Sequence, residues 1–88
     1  RRTDEADGAI DFVAASDNAA IFGECKWRNE TVGKDTLDSL VMRSNLLSRY
    51  EKRHYMVFSK SGFSPGLKAE ANTRGNTELV ELGDLFRV

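Results

Sequence analysis

Two apolar runs follow a polar lead-in: Ile10-Asp11-Phe12-Val13-Ala14, then Ile21-Phe22-Gly23-Glu24-Cys25-Lys26-Trp27. Both read as strands, residues 9–15 and 19–27, because Ser16-Asp17-Asn18 is a short polar break of the kind that reverses an antiparallel pair. Side chains alternate faces along a strand, so Glu24 and Lys26 project to one side and Cys25 to the other. The hairpin also brings Asp11 toward Glu24.

From Val32 the period changes. Leu37, Leu40, Val41, Ser44 and Leu47 recur at helical spacing, which predicts an amphipathic helix over residues 33–49, with Arg49, Lys52 and Arg53 closing it against the negative end of its dipole. Tyr55-Met56-Val57-Phe58-Ser59 then reads as a buried strand. A strand, a helix of this length and another strand form a natural crossover, so the Glu24 strand and the Tyr55 strand are expected to be parallel neighbours in a mixed sheet. Ser64 and Pro65 suit the N-cap and first position of a short helix running to about Ala71, and Asn72-Thr73-Arg74-Gly75-Asn76 breaks it. Residues 78–82 alternate as an edge or final strand, and Gly83-Asp84-Leu85-Phe86 reads as a closing turn. The resulting order is strand, strand, helix, strand, helix, strand, an α/β arrangement.

Composition narrows the class. The chain has 88 residues, 40% hydrophobic and 31% charged, as expected of one small globular domain. A chain of this size buries only roughly 60–65% of its unfolded surface, which predicts that it leans on another domain or a second copy. No run reaches the ~20 apolar residues of a membrane span, and Arg1-Arg2-Thr3-Asp4-Glu5-Ala6-Asp7 lacks the apolar core of a signal peptide. The expected location is therefore cytoplasmic. One cysteine excludes an internal disulfide framework and a multi-cysteine zinc site within this chain.

The net charge of −1 lacks the basic footprint of a stand-alone nucleic-acid binder, but its distribution is uneven. Arg43, Arg49, Lys52, Arg53 and Lys60 stand against Glu51 alone in residues 43–60, whereas residues 1–24 hold six acids against Arg1 and Arg2. One region suits phosphates and the other a cation. Two carboxylates converging on a sheet beside a lysine call for charge compensation, and a hard divalent ion such as Mg²⁺, which favours oxygen ligands and retains waters, supplies it. The plainer reading of Glu24-x-Lys26 is a solvated salt bridge. The apolar residues flanking the pair on a central hairpin favour the site reading.

Asp11, then Glu24-Cys25-Lys26 after a hairpin, then a helix and a strand, resembles the PD-(D/E)xK nuclease superfamily, without the proline of its name. Ile10-Asp11-Phe12-Val13-Ala14, Gly23-Glu24-Cys25-Lys26-Trp27 and Phe58-Ser59-Lys60-Ser61-Gly62-Phe63 also resemble a domain found C-terminal to archaeal-type AAA+/STAND ATPases. The resemblance covers about residues 9–86 and implies a restriction-endonuclease-like fold whose N-terminal helix is missing from this sequence. It further implies that residues 1–88 are one nuclease-like domain, a C-terminal fragment of a larger ATPase protein. The implied activity is phosphodiester cleavage of DNA with Mg²⁺ or Mn²⁺, in which Asp11, Glu24 and the Cys25 carbonyl are metal ligands and Lys26 orients or activates the attacking water. The narrower family often places an acid before the Ile-Asp pair, where this chain has Ala9.

Arg28, Arg53 and Lys60 are candidate DNA contacts. The Cys25 thiol is expected to pack as a small core hydrophobe, and Trp27 to pack under a neighbouring loop rather than stack on a base. His54 is expected to meet solvent or phosphate, Ser59-Lys60 resembles a catalytic dyad only by adjacency, and Gly62-Phe63-Ser64-Pro65-Gly66 lacks the Gly-Lys-Ser/Thr ending of a P-loop. Two alternatives stand beside the nuclease: an inactive descendant serving as a DNA-binding or protein-docking module of an ATPase, and a dimerisation domain.

Overall fold

The computed structural model describes residues 11–47 and 49–82. They form β1 (Phe12–Ala15), β2 (Ala19–Lys26), α1 (Lys34–Ser44), a 3-10 turn (Asn45–Leu47), β3 (Lys52–Ser59), α2 (Pro65–Arg74) and β4 (Thr77–Glu81). The strands make one four-stranded sheet in the order β1-β2-β3-β4. β1 runs antiparallel to β2, with Phe12 opposite Gly23 and Ala15 opposite Ala20. β2 and β3 are parallel from Ala19 opposite Lys52 to Lys26 opposite Ser59, and β4 extends the parallel set with Tyr55 opposite Thr77. The expected hairpin, crossover and mixed sheet are all present.

Both crossovers advance across the sheet in the same direction, so both helices lie on one face and touch each other. That face carries the core: Phe22, Val32, Leu37, Leu40, Val57 and Leu67 are fully buried. Burying each such side chain contributes about 1.5–3 kcal/mol. On the opposite face Phe12, Ile21 and Cys25 are exposed, and Met56 and Phe58 are half-buried. There the Phe12 ring lies across Gly23 and meets Phe58, with ring centroids 6.0 Å apart. A Cβ at position 23 would overlap that ring, so glycine lets β1 close over β2 beside Asp11.

Three boundaries differ from the sequence reading, each for a local reason. α1 stops at Ser44, because the apolar spacing continues through Leu46 and Leu47 but those side chains are exposed, Leu46 at 83%. The Ser44 hydroxyl donates to the Val41 carbonyl at 2.7 Å and meets the Tyr55 hydroxyl at 2.9 Å, tying the helix end to β3 as the backbone tightens. Lys52 and Arg53 therefore open β3 rather than close the helix. α2 continues past Ala71 to Arg74, where Gly75 at φ 77° donates its N–H to the Ala71 carbonyl in a left-handed cap. Its start is as expected: Pro65 follows Ser64, whose Oγ accepts from the Leu67 N–H at 3.1 Å. The start of the first strand at residues 9–10 and the turn at residues 83–86 lie outside the described residues.

The loops after β2 and β3 are laced together, which fixes one end of the sheet. The Val32 N–H donates to the Gly62 carbonyl at 3.0 Å, and the Ser64 N–H donates to the Val32 carbonyl at 2.9 Å. The buried Ser59 hydroxyl donates to the Gly62 carbonyl and accepts from the N–H groups of Ser61 and Gly62. Ser59 is thus a turn-former rather than a nucleophile partnered by Lys60. Among the described residues no helix is long and apolar enough to cross a membrane.

Candidate active site

Alternation along β2 sends Phe22, Glu24 and Lys26 toward the helices. Glu24 is only 2% exposed. A carboxylate at that depth is costly unless its oxygens are compensated, and two cations do so. Lys26 Nζ stands 2.9 Å from Glu24 Oε2, and Arg43 NH1 of α1 stands 3.5 Å from Glu24 Oε1. β1 pairs with β2 from Phe12 onward, and Asp11 stands immediately before the paired stretch. The Asp11 N–H donates to the Gly23 carbonyl at 3.1 Å, and Asp11 Oδ2 accepts from the Cys25 N–H at 2.6 Å. Glu24 and Lys26 thus stand together at the C-terminal end of β2, with Asp11 tied to the backbone between them through the Cys25 N–H, and open α/β sheets place ligand sites at such strand ends.

A polar cavity of about 190 Å³ opens there between β2 and α1, lined by Glu24, Lys26, Arg28, Asp35, Thr36, Ser39 and Arg43. Thr36 and Ser39 were not singled out in the sequence, and Arg43 was read only as part of the basic segment 43–60. Their signal was a polar stripe at i, i+3 and i+7 running beside the buried stripe of Leu37, Leu40 and Ser44. Asp35, in the first turn of α1, is a second carboxylate in the lining beside Glu24.

Oxygen donors suit a hard divalent cation, and the site offers the buried Glu24 carboxylate with the Asp11 carboxylate bonded to the next backbone N–H of β2. Among the described residues no three His, Cys, Asp or Glu side chains cluster as a metal site.

The remaining sequence candidates separate. Arg28 lines the cavity, 3.9 Å from Glu30, whereas Lys60 is not among its lining residues and instead bonds Asn29 Oδ1 at 3.1 Å, 5.7 Å from the centre of the Trp27 ring. Arg53 is not brought to this site. It sits near the start of β3, opposite Ala20, and bonds the Tyr50 carbonyl and Asn45 Oδ1. Ser59 lies six steps further along the strand, about 20 Å away. His54 is half-buried near the same far end. Trp27 is 54% exposed rather than packed under a loop, because β2 ends one residue before it.

Cys25 is also corrected: its side chain is exposed on the open face, not in the core. Alternation opposite Glu24 requires this, and the apolar neighbours in sequence belong to both faces. Partial desolvation pushes the thiol up, and the Asp11 carboxylate beside it acts in the same direction. Both causes disfavour the thiolate, the reactive form. Alkylation of the folded domain by iodoacetamide should therefore be slower at pH 7–8 than for a free cysteine and still rise beyond about pH 8.5, the ordinary cysteine value. Asp11→Asn should move that rise to lower pH. A rate that levels off below pH 8.5 in the wild-type chain would contradict this environment.

No curated protein and no solved structure matches this chain. A family model does, and over its whole length: Mrr_cat, restriction endonuclease, residues 1–88. The chain, with its mixed sheet and two crossover helices, belongs to the Mrr-type restriction endonuclease family of the PD-(D/E)xK nuclease superfamily.

Proposed function

We propose that the domain is a metal-dependent DNA endonuclease. The observation that carries this reading is the Glu24–Lys26 pair at 2.9 Å with Asp11 held alongside through the Cys25 N–H. Asp11, Glu24 and the Cys25 carbonyl would hold Mg²⁺ or Mn²⁺, which when bound offsets charge on the phosphate and lowers the pKa of its water. Lys26 then stands beside the attacking water or a phosphate oxygen. It orients the nucleophile and presents a positive charge where negative charge develops. Arg28 in the cavity lining would serve the DNA backbone, and Lys60 would do so beside the exposed Trp27 ring just beyond the end of β2. Arg53 would serve only a DNA segment reaching the far end of the sheet.

An ATPase module on the same full-length chain is supported by the resemblance of the Asp11, Glu24 and Phe58 segments to domains appended to AAA+/STAND ATPases. A cytoplasmic location would follow from a DNA substrate.

One observation favours a second reading, a catalytically inactive DNA-binding or docking module: both Glu24 oxygens are engaged by cations. Supercoiled plasmid incubated with the purified chain separates the two. Nicking in Mg²⁺ or Mn²⁺ that stops on adding EDTA is the expected outcome. DNA retention in a gel shift without cleavage in any divalent ion would favour the second reading.

A further inference from the structure

The ion pairs of Glu24 are unequal. Lys26 holds Oε2 at 2.9 Å, within the range of a strong charge-assisted bond, whereas Arg43 stands 3.5 Å from Oε1. The shorter pair joins neighbours on one strand, so it persists wherever β2 goes. The longer one reaches across from α1 on a flexible stem. The Arg43 side chain is 17% exposed and lines the cavity of about 190 Å³, which gives its head room to turn without moving the helix. We propose that Arg43 is the resting counter-ion of Glu24: it holds Oε1 until a divalent cation binds there, so that guanidinium and metal compete for one carboxylate oxygen.

This inference rests on Glu24 being a metal ligand, and it explains how a carboxylate this deeply buried is tolerated before the metal arrives. A buried charge without a partner costs several kcal/mol. Arg43 supplies that compensation at the one oxygen Lys26 leaves over. The pairing also gives Arg43 a role that α1 packing alone does not require, since Leu37 and Leu40 already bury the helix face.

Calorimetric titration of Mn²⁺ into the 88-residue chain tests the competition. Removing the competitor in Arg43→Gln should tighten Mn²⁺ binding by about 5-fold or more, a coupling of ordinary size between linked sites. Arg43→Lys, which keeps the charge, should stay within about twofold of wild type by the same linkage. In EDTA the Arg43→Gln chain should melt below wild type, and saturating Mn²⁺ should close the gap, since a ligand stabilises the state it binds. Unchanged or weaker Mn²⁺ binding in a folded Arg43→Gln chain overturns the proposal while leaving the nuclease reading intact. A wild-type chain that binds neither Mn²⁺ nor Mg²⁺ removes the metal reading of Glu24 and this inference with it. Should Arg43→Gln not fold, the Arg43 Nε–H resonance of the wild-type chain decides: a shift on adding Mg²⁺ supports displacement from Glu24, and an unmoved resonance overturns it.

Discussion

Lys26→Ala should lower DNA cleavage by about 10²–10⁴-fold, the range expected for loss of a positioned proton-transfer or charge-stabilising group. Divalent-cation binding should stay at least as tight as in wild type. Asp11→Ala and Glu24→Gln should instead lose binding and cleavage together. The distinction follows from the geometry: Lys26 contributes a cation to the site, and the two carboxylates contribute its oxygens. Removing Lys26 frees Glu24 Oε2, leaving the carboxylate paired to Arg43 and more open to a metal. Glutamine is the better replacement at position 24, since deleting the side chain would strand two largely buried cations around a void. The measurements are plasmid nicking and Mn²⁺ calorimetry on variants whose circular dichroism matches wild type. Cleavage at full rate in either carboxylate variant would rule the site out. Lost metal binding in Lys26→Ala would mean that the lysine shapes Glu24 rather than serving the phosphate.

How much of this arrangement was legible in the sequence depends on which forces set each part. The shared face of Glu24 and Lys26 follows from strand alternation alone, and Asp11 reaches them because Ser16-Asp17-Asn18 leaves room only for a tight reversal. Parallel pairing of β2 and β3 follows from a helix-length connection. Arg43 was out of reach because its role arises where α1 crosses β2, a tertiary distance that no local pattern encodes. The end of α1 was misplaced for a related reason. Leu46 and Leu47 keep the helical spacing while facing solvent, and the stop comes from Ser44 meeting Tyr55. Cys25 shows the opposite error, since the alternation that placed Glu24 inward already placed the thiol outward. Arg53 looked like a neighbour of Lys60 in a basic segment, yet an extended strand carries the two to opposite ends of the sheet.

Phe22→Ala should cost about 3–5 kcal/mol, the largest stability effect expected of a single substitution here. Phe22 is fully buried two residues before Glu24 on the same face of β2. Its ring stacks on Tyr55 at 5.9 Å and meets the edge of Tyr50 at 6.5 Å, so the variant loses apolar burial and two aromatic contacts and leaves a void between β2, β3 and α1. A domain of this size holds only about 5–15 kcal/mol in total, so the midpoint of urea unfolding should fall by a large fraction. Ile21→Ala, one residue earlier on the open face at 37% exposure, should cost much less, since both described helices lie on the other face of the sheet. Equal losses in the two variants would contradict the one-sided core. The two kinds of damage also separate in function. Cleavage by Phe22→Ala should recover on cooling or in a stabilising osmolyte, because Glu24 and Lys26 keep their geometry in every folded molecule, whereas Lys26→Ala should remain slow at any folded fraction.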